Sequence, residues 1–280
     1  MSIKERIEEK SKEIFVKGKR EGCVKLSISE IKDLVKQEFD KQAVAQKTHD
    51  KHFNNENSEY YQMSVEQIIE EWSRRGEISK VRGNCVDSYC GLILEGKSEK
   101  EKAIFKLDHE SDEIMARKFQ GIDKALEAMK AQGLTFECRE LSVGMPIVKD
   151  GKTWMISGRF DAIFSKDKKI LIVDWKNNED IEDKNHWKKL LGPCSHLDDC
   201  DMNLFTIQLY MYAYILRHVY GFDNVEIFCD VVQFPGKKDY FYKIWKPSFD
   251  YDEALIEKII DFCIKKKALM LEDEKQKEEA

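Results

Sequence analysis

Asp161, Asp174 and Lys176 are the residues of this chain whose types and spacing could do chemistry. They lie in two short runs, Gly158-Arg159-Phe160-Asp161 and Val173-Asp174-Trp175-Lys176, on either side of a polar, lysine-rich turn. Two carboxylates and a lysine brought together in this way could hold a divalent metal and an attacking water. Residues 154–164 and 169–175 are rich in β-branched and aromatic side chains, and Ser165-Lys166-Asp167-Lys168 between them is polar, which predicts a hairpin. Symmetry about that turn pairs Ser165 with Ile170 and Phe164 with Leu171, and places Asp161 opposite Asp174. Opposed residues have Cβ atoms about 4.5–5.5 Å apart, where two like charges destabilise a sheet unless a cation or proton separates them. Asp174 and Lys176, two residues apart, share one face of the strand, and Trp175 turns to the other. The apolar run Leu171-Ile172-Val173 predicts a strand buried on both faces. Carboxylates at the end of such a strand are costly unless paired or bound to metal. An exposed strand edge can also carry ordinary Asp and Lys, but the apolar run argues against that reading.

The elements around these residues can be read from their periodicity. Helices are expected at 2–20, at 28–47 with Ser27, Ser29 and Glu30 as capping residues, at 64–75, and at 78–95 bearing Asp87. A further helix at 110–132 ends at Gly133, a favourable C-cap. Strands are expected at 135–148, 154–164 and 169–175, then a helix at 203–220, a strand at 225–234, and a helix at 251–271 followed by a frayed charged tail. This order predicts an α/β fold, a mixed sheet flanked by helices. Glu140, on the first strand, is a further acid near the site or else a solvated strand residue. In helix 203–220, Phe205, Leu209, Tyr212 and Leu216 recur at core spacing, and Gln208 is a polar residue one turn before Tyr212.

With 280 residues, 42% of them hydrophobic, the chain can build a full core as one large domain or as a domain with a helical extension. No run approaches the ~18 apolar residues of a membrane span, and the N-terminus is highly charged, so a soluble protein without a secretory signal and without membrane contact is expected. The eight cysteines then read as reduced cytoplasmic thiols. None forms a C-x₂-C group. Cys194-x₅-Cys200, with His196 between, is the local candidate, and an iron–sulfur cluster is not expected. A net charge of −6 excludes a protein coated in positive charge but not a local basic patch. Lys166, Lys168, Lys169, Lys184, Lys188 and Lys189 flank the acids in sequence. They are phosphate contacts if the acids hold metal, and a solvated surface otherwise. His186 and Trp187 in the same segment offer rings for base stacking.

At these residues the chain resembles the PD-(D/E)XK nuclease superfamily, in particular its RecB-like, phage-exonuclease branch. The family pattern G-x-x-D, turn, hydrophobic strand, D-x-K falls on Gly158, Asp161, Asp174 and Lys176. The stretch Gln208–Leu216 resembles the Q-L-x-x-Y helix that follows, and Gly192–Leu197 resembles phage-type members. Glu71-Trp72 and Arg82-Gly83-Asn84-Cys85-Val86-Asp87 resemble the segment that opens the domain. The likeness covers residues 28–235.

It implies a restriction-endonuclease-like core at 78–245, an N-terminal helical region at 1–77, and a C-terminal helix and tail at 246–280. It also implies a Mg²⁺- or Mn²⁺-dependent deoxyribonuclease, an exonuclease of DNA processing or phage recombination, working in the (host) cytoplasm. Asp161, Asp174 and the carbonyl of Trp175 would hold the metal, with Asp87 and Glu140 as further ligands, Lys176 would act on the water, and Gln208 would support them. Tyr212, Lys166, Lys168 and Lys188 would contact DNA. A homo-oligomer or a recombination partner fits the same family. One departure is that Asp87 stands where many relatives carry a histidine ligand, and Asn84 replaces a threonine. A hard cation accepts aspartate oxygen equally well. The alternatives are a catalytically silent DNA-binding or assembly module on the same fold, or a structure-specific endonuclease.

Overall fold

The structure, a computed structural model, describes residues 1–109 and 111–279; Glu110, the expected start of one helix, lies outside them. Helix α1 (Ile3–Arg20) leads into strand β1 (Val24–Ser27) and helix α2 (Ile28–Val35). The Ser27 hydroxyl accepts the Glu30 N–H at 3.1 Å and the Glu30 carboxylate accepts the Ser27 N–H at 2.8 Å, the reciprocal cap that the sequence predicts. The single helix expected at 28–47 is two. The Val35 carbonyl is taken by the Leu191 N–H at 2.7 Å, which satisfies the end of α2. Asp40 then caps a new helix, α3 (Lys41–His52), through the Ala43 N–H. Conversely, the helices expected at 64–75 and 78–95 are one 30-residue helix, α4 (Val65–Leu94). Gly76 lies within it, and one interior glycine costs only about 1 kcal/mol. Helices α5 (Glu99–Leu107), which the sequence reading missed, and α6 (Glu113–Ala131) follow.

The strand region departs from expectation in one informative way. Residues 135–148 form β2 (Thr135–Arg139) and β3 (Ser142–Lys149), turning at Glu140, which has φ +49°. Residues 154–164 likewise divide into β4 (Lys152–Arg159) and β5 (Ala162–Lys166), hinged at Phe160-Asp161. β4 pairs with β3 and, in parallel, with β1 in a three-stranded sheet. β5 crosses into a five-stranded sheet with β6 (Lys169–Lys176), in the order β2-β5-β6-β7-β8, where β7 is Ile227–Gln233 and β8 is Lys243–Trp245. Asp161 is thus placed where the chain changes sheets.

Helix α7 (Asp201–Tyr220) is the crossover between the parallel strands β6 and β7, and α8 (Glu253–Glu279) runs on through the tail expected to fray. The expected α/β architecture, with a mixed sheet between helices, is present. Its N-terminal part is not purely helical, because β1 is built into a sheet. Among the described residues no helix is long and apolar enough to cross a membrane.

The five-stranded sheet is buried on both faces. Ile170 and Ile172 pack into the larger core with α7 and α8, whereas Leu171, Val173 and Trp175 pack with Phe119 and Ile122 of α6 and Val86 and Tyr89 of α4. Each side of β6 therefore has its own helices, and whatever emerges at its C-terminal end is reached from both.

Candidate active site

The site is built at that C-terminal end of β6. The hairpin has the expected register, Lys166 with Lys169 through Ala162 with Val173. The ladder stops one pair short of Asp161 and Asp174, and there the Asp161 side chain replaces the backbone as acceptor. Its Oδ2 takes the Trp175 N–H at 2.7 Å. Even-numbered residues of β6 bond to β7, as the Ile170 N–H to Glu226 O and the Phe234 N–H to Lys176 O contacts show. Odd-numbered ones therefore face β5, so the Trp175 carbonyl leaves on the same edge as Asp161. The Trp175 ring lies on the opposite face from the Asp174 side chain, against Phe164 and Phe234.

Asp174 is 2% exposed. Its Oδ1 accepts from Gln208 Nε2 of α7 at 3.1 Å, and its Oδ2 lies 2.6 Å from Lys176 Nζ. That contact is a close, charge-assisted ion pair, so the Lys176 ammonium and the Gln208 amide each serve one oxygen of this buried carboxylate. Burial pushes the Asp161 carboxyl well above the ordinary carboxylate range. Asp174 and Asp87 push it the same way, and Lys176 and the Trp175 N–H only partly offset them. For Lys176, burial works against the charge, but Asp174, Asp161 and Asp87 outweigh it and hold the ammonium above its usual range.

Asp87 enters from α4. Burial raises its carboxyl to about 6, with Glu140 and Asp174 adding to the shift against Lys176 and Arg139. Arg139 is clasped to that helix through Glu95 at 3.0 Å and the Asp87 carbonyl at 3.2 Å, and its Nη2 also lies 3.2 Å from Glu140. Gly91 permits this, because a Cβ there would meet Arg139 Nη1 at 2.1 Å. The Glu140 backbone N–H donates to the Asp161 carbonyl at 3.1 Å, so this acid too borders the site.

Four further residues fall elsewhere than expected. Tyr212 is 3% exposed, and its hydroxyl donates to the Arg159 carbonyl at 2.8 Å, which makes it a core brace rather than a DNA contact. Its ring explains Gly158, where a Cβ would lie 2.9 Å from both Tyr212 Cε1 and Ile28 Cδ1. Lys166 and Lys168 sit at the hairpin turn, the far end of β5 and β6. At about 3.3 Å per residue, six residues separate Lys168 from Asp174 by roughly 20 Å. Lys188 is exposed in the loop after β6, its N–H on Asn185 Oδ1, with no contact to the acids. Trp187 beside it is 93% exposed.

One site residue was missed. Lys32, on α2, donates to Gln208 Oε1 at 2.5 Å. A lone lysine on a short capped helix carries no signal that would single it out.

Among the described residues no three His, Cys, Asp or Glu side chains are grouped to hold an ion as they stand. The donor set nevertheless fits a hard cation: two apposed carboxylates, one of them only 2% exposed, and a backbone carbonyl on the same edge as Asp161. Among the described residues the eight cysteines are free thiols, six of them buried.

No family model and no curated protein matches this sequence. Among solved structures, one of SSO0001 matches with TM-score 0.33 and 14% identity over 93% of this chain and 84% of that one. A candidate exonuclease from Eubacterium rectale matches with TM-score 0.39 and 15% identity over 69% of this chain and 66% of its own. At TM-scores below 0.5 neither likeness carries weight for function.

Proposed function

We propose that this chain is a divalent-metal-dependent nuclease that hydrolyses phosphodiester bonds in DNA as an exonuclease. The observation that carries the reading is the junction of Asp161 and Asp174 at the end of a buried strand, with a lysine two residues on. Burial, and then the neighbouring Asp174, raise the proton affinity of Asp161, which is a cost to folding unless the site has a cation to bind. Asp161, Asp174 and the Trp175 carbonyl would hold Mg²⁺ or Mn²⁺, with Asp87 and Glu140 at the rim. Such an ion would supply Lewis acidity there, lowering the pKa of a bound water and offsetting charge on the phosphate.

The chain's own groups supply the rest. Lys176, kept charged by three acids, orients the attacking water or meets the charge that develops on the phosphate oxygens. Gln208 fixes the rotation of the Asp174 carboxylate through its 3.1 Å bond to Oδ1, which turns Oδ2 towards Lys176. The Trp175 N–H does the same for Asp161.

The test is digestion of a linear duplex, its covalently closed circle and a single strand with Mg²⁺, Mn²⁺ or EDTA, beside Lys176→Ala. Metal-dependent loss of the linear substrates alone, abolished by the substitution, is the expected result. Cutting of the circle makes the protein an endonuclease. Metal-independent binding without cleavage of any substrate makes it a silent DNA-binding module.

A further inference from the structure

Lys32 reaches the site from the N-terminal part of the chain, outside the motif that carries the acids. Its Nζ donates to Gln208 Oε1 at 2.5 Å, and the nitrogen of that amide donates to Asp174 at 3.1 Å. Lysine has only donors, so it sets which way the amide faces: oxygen to Lys32, nitrogen to Asp174. The two lysines also share a ring. Phe205, one turn before Gln208 on α7, has Lys176 Nζ 4.6 Å and Lys32 Nζ 5.9 Å from its centroid. Two ammonium groups therefore stand beside one aromatic side chain at the mouth of the acid pair.

Their partners differ. Lys176 has the Asp174 carboxylate at 2.6 Å. Among the described residues Lys32 has no carboxylate within 4.0 Å, and its sole hydrogen-bond acceptor is an amide oxygen. An ammonium carries three N–H donors, so two remain open on a partly buried side chain next to another cation. Burial and then Lys176 bring its pKa down to about 8, with Asp174 opposing. This is an unfavourable place for a cation unless an anion joins it. The acids below would hold a metal, and the anion that lies against both a metal and two lysines is a phosphate.

We propose that Lys32 is a substrate contact, its free N–H donors binding a non-bridging phosphate oxygen of the DNA strand drawn across Asp161, Asp174 and Lys176. The inference rests on the nuclease reading and adds to it the residue that grips the strand. Lysine suits this as a compact point charge on a flexible stem.

The test is Lys32→Met, which keeps the apolar stem, beside Lys32→Arg and Gln208→Leu. Binding of a short linear DNA duplex is titrated in EDTA at several salt concentrations, and kcat and KM are measured separately with Mg²⁺. One lost phosphate contact lowers the slope of log affinity against log salt by about 0.9 for duplex DNA and about 0.7 for a single strand. Lys32→Met is expected to show that drop and a raised KM, and Lys32→Arg to recover most of both. Gln208→Leu is expected to keep the native slope.

If Lys32→Met keeps the native slope and affinity and loses only kcat, as Gln208→Leu does, the lysine is a strut for the amide and the proposal falls. If the native protein binds DNA but cleaves nothing, the nuclease reading fails while the slope still decides the role of Lys32. If the native protein does not bind DNA at all, both fall together.

Discussion

Lys118 and Lys176 are two lysines driven into protein at the same end of β6, and they differ in what surrounds them. Lys118, from α6, is 1% exposed and donates to the carbonyls of Asn177 at 2.6 Å and Phe234 at 2.5 Å, with Glu179 at 3.4 Å. Three donors meet three acceptors, and burial pulls the ammonium down to about 8 despite Glu179. Lys176 has carboxylates around it, and they hold its charge above the ordinary range against burial. A buried lysine filled by backbone carbonyls is a staple; this one ties the ends of β6 and β7 together just beyond the site. A buried lysine whose neighbours are acids that want a cation of their own has the electrostatics of a reacting centre.

The sharpest way to break this contrast is to remove each lysine in turn. Lys176→Ala, like Asp161→Ala and Asp174→Ala, is expected to lower cleavage at least 10²–10³-fold, roughly the loss seen on removing one transition-state donor, with the fold retained by circular dichroism. Lys118→Met is expected to do the opposite. It strands buried acceptors at about 1–3 kcal/mol each, read as a lower urea midpoint, and it leaves the residual activity per folded molecule near native. An active Lys176→Ala enzyme, or a fully stable Lys118→Met, would invert the assignment.

Next in size is Gln208→Leu, which keeps the side-chain volume but frees the Asp174 carboxylate to rotate. Groups that orient metal-binding side chains are commonly worth roughly 10–100-fold, and the loss should appear in kcat and in the Mg²⁺ requirement. An unchanged Mg²⁺ titration would mean that Asp174 is held by Lys176 alone. Gly158→Ala acts on the staple side of the comparison. Its Cβ would sit 2.9 Å from Ile28 and Tyr212, and overpacking of this kind costs about 1–3 kcal/mol. Thermal denaturation should register that cost, and a stable variant would show that the Tyr212 brace can yield.

The centre of the site was legible because its spacing is short. A two-residue period places Asp174 and Lys176 on one face, and a symmetric turn brings Asp161 to Asp174; both hold in the structure. Gln208 was legible only through resemblance. What failed was non-local. The run Trp154–Phe164 reads as one strand, but pairing with β1, more than a hundred residues earlier, keeps its first part in another sheet. Lys166 and Lys168 are near the acids in sequence and a strand's length away in space. Tyr212, at core spacing in the sequence and a DNA contact only by resemblance, is buried and satisfies the Arg159 carbonyl. Lys32 looked like any lysine on a short helix, and only the packing of α2 against α7 brings it to Gln208.

The smallest effect expected concerns Asp87, the acid that stands in place of a histidine. Its carboxyl is raised to about 6 in the folded protein from an ordinary 3.8. Between those two values the folded state keeps a proton that the unfolded state has released, so stability falls as pH rises through that window and stays lowered above it. Asp87→Asn removes the penalty. The variant is therefore expected to be more stable than the native chain in urea at pH 7.5, with the difference shrinking towards pH 4. If Asp87 borders a metal, added Mg²⁺ favours its ionised form and should narrow the gap by stabilising the native chain more than the variant. A variant less stable than native at pH 7.5 would show that Arg139 pairs the carboxylate favourably. Asp87 would then belong with Lys118 among the structural charges rather than with Lys176.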